Sequence, residues 1–392
     1  MEPTLTPDTQ AVLLLCGELG QRGNGLKPLG LRQYNLLAAW LKTEGLRPGD
    51  LLTAKGRAKL AGLQTAEVNR DRVSPLLERG AALALMVERW ERGGLWAISR
   101  GDDCYPERLK RYLGQATPPL LYGVGSTSLL NRGGLAVVGS RDRSEEDGDF
   151  ARRIGEYCAR EGIAIVSGAA KGIDRDAMTG ALEAGGSALG VLAEGLAKTA
   201  TSGQYRSGLV SDRLTLVSPF DPDSRWFAYT AMERNKLLYG FSEAALVVAS
   251  SDESGGTWAG AVEALQHGRV KVFVKIVGTP APGNSKLVRM GGVPFPEEPW
   301  ENLRPLFSAP DEKNGQLFPA DVPLSSPAPE REDSAIGSPE IILAGEPAMA
   351  EEMAAKESEQ LLEPKRVQDA YALVIDALLM LLKEPQSADW LA

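Results

Sequence analysis

Histidine is almost missing from this chain: of 392 residues one is His, His267, and three are Cys, namely Cys16, Cys104 and Cys158. With the cysteines far apart, neither a zinc cluster nor a His-dependent catalytic triad can be assembled. No apolar run approaches the ~20 residues that span a bilayer, and MEPTLTPDTQ lacks the basic start of a secretory leader. A cytoplasmic protein with no membrane partner is expected. A net basic charge is also lacking: 43 Lys and Arg stand against 52 Asp and Glu, a formal charge of -9. The deficit is local. Residues 301–392 hold 7 basic and 18 acidic residues, so the first 300 are close to neutral and leave room for a local basic groove.

What is present is 43% hydrophobic residues in two textures. Residues 1–92 read as a helical domain, with apolar positions at helical spacing in LRQYNLLAAWL and SPLLERGAALALMVERW. Within it, KGRAKLAGLQ has the alternative reading of a helix-hairpin-helix turn whose glycine frees amides for a phosphate. Over 93–300, short β-branched runs alternate with amphipathic segments. LAVVG (135–139), IAIVSG (163–168), SALGVLAEG (187–195), LTLVS (214–218), AALVVAS (244–250) and VKVFVKIV (270–277) read as buried strands. The alternation predicts an α/β fold: a Rossmann-like, mostly parallel sheet with helices on both faces and a functional edge at the carboxyl ends of the strands. Residues 301–365, rich in Pro, Ser, Ala and Glu, read as an acidic disordered linker, and 366–392 as a terminal helix.

Three turns at predicted strand ends carry the chemistry. The first is Gly139, Ser140 and Arg141, where a glycine lets backbone approach a ligand and Ser and Arg supply phosphate donors. The second spans Ser167, Gly168, Lys171, Gly172 and Asp174, an anion cradle with Asp174 placed to cap the following helix. The third, Ser254, Gly255, Gly256 and Thr257, opens a helix with several backbone amides. Upstream of it, Arg234, Asn235 and Lys236 bring cations towards the same edge. Neither a G-x-G-x-x-G nor a Walker A spacing is present. His267 reads as a helix end before Gly268. No nucleophile–base or paired-carboxylate arrangement is visible, so no catalytic residue, metal or cofactor is assigned.

In order and spacing these segments resemble the DprA/Smf family of DNA-processing proteins. The likeness begins at Asp103-Cys104-Tyr105-Pro106, passes through VVGSR, VSGAAKGID, ERNKLLYGFSEAALVV and ESGGT, and ends near residue 296 at HGRVKVFV and beyond. It implies an extended Rossmann-like core, a homodimer, a helical N-terminal domain and a C-terminal winged helix, of which 366–392 would be a shortened form. It also implies single-stranded DNA as ligand, held without base reading, and a RecA-type recombinase as partner. Gly139, Ser140 and Arg141 match the family's phosphate-binding turn. Lys171 matches the basic residue that contacts the DNA backbone, and Arg234 and Asn235 match the R-N-R segment, with Lys236 for its second Arg. Met178 stands where the family has a histidine. Two other readings keep the fold: an antitoxin that neutralises a cognate toxin protein, and a protein that binds or cleaves nucleotides.

Overall fold

The computed structural model describes residues 5–20, 26–65, 67–199, 203–225 and 228–307. The expected linker, beyond its first residues, and the expected terminal helix lie outside the described residues. Among the described residues the chain opens with five helices, α1 (Pro7–Cys16), α2 (Leu31–Thr43), α3 (Ala54–Lys59), α4 (Arg70–Leu77) and α5 (Gly80–Arg92). Helix α1 begins where Pro7 follows Thr6, whose hydroxyl accepts the Thr9 N–H at 3.1 Å. Its residues Ala11 to Leu15 are all buried, because α4, α5 and the sheet close over it. Gly56 does not form an open phosphate turn. Its N–H is taken by Thr53 Oγ1 at 3.1 Å, and a Cβ there would overlap the Asp50 carbonyl.

Nine strands follow among the described residues: β1 (Leu95–Ser99), β2 (Leu120–Val124), β3 (Leu135–Gly139), β4 (Ile165–Ser167), β5 (Ala188–Val191), β6 (Leu214–Ser218), β7 (Ala244–Ala249), β8 (Lys271–Val274) and β9 (Val293–Pro294). They form one sheet in the order β1-β2-β6-β5-β4-β3-β7-β8-β9. Strands β3 to β9 run parallel, and β2 pairs antiparallel with both β1 and β6. The mostly parallel sheet agrees with the pattern in the sequence; β1 and β2 are additions to it. They escape the β-branched pattern because Gly123 faces Trp96 across the pair, where a Cβ would overlap the indole ring.

The remaining α-helices among the described residues are α6 (Glu107–Leu113), α7 (Glu145–Arg160), α8 (Ile173–Glu183), α9 (Leu196–Thr199), α10 (Gly203–Val210), α11 (Ala228–Phe241), α12 (Gly255–His267) and α13 (Asn284–Arg289). Alternate residues of each central strand enter different cores, as the period of two requires. Leu135, Val137, Leu246 and Val248 join a cluster with α7, α8 and the N-terminal helices, whereas Ala136, Val138, Ala245 and Val247 pack with α6, α11 and α12. Helices α7 and α8 touch backbone to backbone: a Cβ on Gly155 would overlap the Ala177 carbonyl, and one on Gly180 the Arg152 carbonyl. The chain steps from β3 outward through β4, β5 and β6, then returns to place β7 on the other side of β3. The loops leaving β3 and β7 therefore diverge, and ligands of open α/β sheets bind at such a switch point.

Candidate functional site

The first turn is shaped by a register shift between β3 and β7 at Val138 and Gly139. Beyond it the Ser140 N–H donates to Ala249 O at 2.9 Å. The Ser140 hydroxyl serves the turn itself, donating to Asp142 O at 2.6 Å and accepting the Asp142 N–H at 3.2 Å. Arg141 is left exposed. Ser144 caps α7 by accepting the Asp147 N–H at 3.1 Å, and Glu145, Glu146 and Asp147 already set negative charge against that helix end.

The second turn rests directly on the first. Gly172 takes φ +90°, and a Cβ there would stand 2.5 Å from Ser140 O and 2.8 Å from Arg141 O. Only a glycine permits this seat, and it lays the backbone next to exposed Lys171 against the backbone of exposed Arg141. Ser167 is fully buried and donates to Val137 O at 2.6 Å, so its hydroxyl ties β4 to β3 and is not presented to a ligand. Asp174 is not the cap of α8, whose N-cap is Gly172. Instead its carboxylate turns back and accepts the Gly168 N–H at 3.0 Å. Burial pushes the Asp174 carboxyl up, against the pull of Arg234 and of the N–H groups of Gly168, Gly139 and Ala170.

Arg234, read from the sequence as a cation brought to this edge, is buried beneath it. Its side chain is only 6% exposed, with Nη1 3.8 Å from Asp174 Oδ2 and 3.3 Å from Val191 O, and Nε has no hydrogen-bond partner among the described residues. Burial holds the guanidinium pKa below its ordinary value, with Asp174 opposing. Lys236 is likewise engaged, 3.2 Å from Glu233 and 3.8 Å from Glu263. Asn235 donates to Gly256 O at 2.9 Å. Consecutive residues of α11 thus reach opposite ways, Arg234 to the turn after β4 and Asn235 to the turn after β7.

The third turn ends at Ser254, the N-cap of α12, which makes no side-chain capping bond. Neither Gly255, Gly256 nor Thr257 brings an acid to that first turn. Just before it, Asp252 and Glu253 pair with Lys286 at 2.7 and 3.0 Å. Met178 is buried in the core within reach of β5. His267 ends α12 before left-handed Gly268, 3.8 Å from Glu263. Among the described residues no group of three or more His, Cys, Asp or Glu is placed to hold a metal.

Three residues at this edge are not marked by any motif. Tyr205 of α10 donates its hydroxyl to Ala169 O at 3.2 Å, holding a non-glycine residue at φ +52°. Arg175 lies exposed in the first turn of α8. Lys275, 2% exposed after β8, bonds Asp147 at 2.9 Å. The segment TSGQYRSG offers no periodicity that separates Tyr205 from its neighbours, and VFVKIV reads simply as strand.

Residues 96–294, just over half of the chain, match the family model of DNA recombination-mediator protein A. The chain belongs to this family. It is 32% identical over 232 residues to Protein Smf of Escherichia coli K12, covering 57% of this chain and 59% of that protein. With the DNA processing protein DprA of Streptococcus pneumoniae R6 it shares 31% identity over 170 residues, covering 43% and 58%. It therefore spans about three-fifths of the length of these curated relatives. The X-ray structure of Streptococcus pneumoniae DprA superposes with a TM-score of 0.54 at 22% identity, covering 75% of this chain and 95% of that one, and shares the fold. Among the described residues no helix is long and apolar enough to cross a membrane.

Proposed function

We propose that this DprA/Smf family member binds single-stranded DNA without reading its sequence, shields it and helps a RecA-type recombinase assemble on it, acting without catalysis. The observation that carries the reading is the seating of Gly172 on the Ser140 and Arg141 carbonyls. It lays the turn that carries exposed Lys171 against the turn that carries exposed Arg141 at the switch point of the sheet, where backbone and cations suit a phosphate chain. The uncapped start of α12 adds N–H donors on the other side of the switch point. Arg234 and Asp174 serve beneath the surface as braces of the loop.

The test is fluorescence anisotropy of a labelled oligo-dT titrated with the chain at several salt concentrations. Salt-sensitive binding is expected. Arg141→Glu and Lys171→Glu should each weaken it and lower the salt slope by about 0.7 for every phosphate no longer neutralised. Equal affinity of both variants and the parent chain would overturn the groove assignment. Thermal stabilisation by a mononucleotide without oligo-dT binding would point to the nucleotide reading instead. Recombinase loading is tested by the rate of RecA assembly on oligo-dT with and without the chain.

A further inference from the structure

The edge of the sheet presents its cations unevenly. Along the turns after β3 and β4 lie three exposed cations, Arg141, Lys171 and Arg175, together with exposed Asp142 and the Arg143–Asp176 pair. Arg175 joins no ion pair among the described residues, and it lies close enough to Tyr205 for its charge to act on that phenol. Since Tyr205 bonds Ala169, Arg175 extends the basic surface from the turn after β4 towards α10. On the β7 side the cation is already engaged. Asp252 and Glu253 precede the start of α12, and both are occupied by the single ammonium of Lys286. Glu146, in the first turn of α7, also reaches the loop after β8, where a Cβ on Gly278 would overlap its carboxylate, and it lies 3.5 Å from Lys275. A phosphate chain crossing that side meets carboxylates whose nearest cations are already paired.

We propose that the bound strand runs to one side of the switch point, over the turns that follow β3 and β4 and on towards α10, with Arg175 as a phosphate contact beside Arg141 and Lys171. The Asp252–Glu253–Lys286 cluster lies off its path. This rests on the single-stranded DNA reading above and assigns the course of the strand. It also narrows the role of the Ser254–Thr257 turn, which would meet the strand only at its margin.

The experiment compares the full chain with Arg141→Glu, Arg175→Glu, Lys286→Glu and Arg32→Glu in the oligo-dT titration, each variant first checked by thermal melting. Arg32 is exposed on α2 and supplies a control of equal charge change. Arg175→Glu should weaken binding about tenfold and lower the salt slope by about 0.7, whereas Lys286→Glu should stay within about twofold of Arg32→Glu. A weakened Lys286→Glu, whether or not Arg175→Glu is weakened, overturns the one-sided path. So does an Arg175→Glu variant equal to the control while Arg141→Glu is impaired. Failure of the parent chain to bind, or of Arg141→Glu to matter, instead removes the DNA reading itself.

Discussion

Arg234 fills the space that a side chain on residue 168 would need: a Cβ built on Gly168 would overlap the Arg234 Nη1 and stand 2.5 Å from Asp174 Oδ2. The second turn is therefore moulded around a buried guanidinium. Gly168→Ala should expel Arg234 from its seat and break the buried pair with Asp174, at a cost of about 3–5 kcal/mol. Chemical denaturation checks this. A loss under about 1 kcal/mol would mean that the loop yields without cost.

Burial raises the Asp174 carboxyl pKa, so the native state holds that proton more tightly than the unfolded chain. Its contribution to stability is full below the ordinary carboxylate value of about 3.9 and is lost as pH rises through the raised one. Asp174→Asn lacks this proton. The melting temperature of the parent chain relative to Asp174→Asn should be highest at the acid end and fall as pH rises towards neutrality. A gap that widens with pH would contradict the assignment.

Tyr205 holds the Ala169 carbonyl from α10, outside the three turns. Tyr205→Phe keeps the ring and removes the hydroxyl, so about 1 kcal/mol of stability should be lost. Hydrogen exchange of the 168–172 amides should quicken while the amides of β7 keep their protection.

Lys275 is buried between Asp147 at 2.9 Å and Glu146 at 3.5 Å. Lys275→Met should cost about 3–5 kcal/mol by leaving Asp147 buried without its partner. Adding Asp147→Asn should recover part of that loss, and the double-mutant cycle measures the coupling.

The parallel sheet and its three turns could be read from β-branched runs that end in glycine, because strands buried on both faces have no polar alternation to conceal them. Strands β1 and β2 could not, since Trp96 packing on Gly123 is a cross-strand fit that only pairing reveals. The site shows the same division. Gly172 seats the second turn on the first and Lys171 is exposed beside it, whereas Arg234, a cation beside a phosphate turn by sequence, points inward to Asp174 and the Val191 carbonyl. Whether a charged side chain faces solvent or braces a loop depends on what lies beneath it, and spacing along the chain does not report that.

The opposed reach of Arg234 and Asn235 also sets a limit on how this chain can be rearranged. Each residue of an α-helix turns by about 100°, so inserting or deleting one residue in α11 ahead of Arg234 would swing both side chains away from their loops at once. Substitutions elsewhere on α11 leave that phasing intact. Length changes between β6 and the Arg234–Asn235 pair should therefore be confined to the connection before α11, while the stretch from that pair to β7 keeps a constant length.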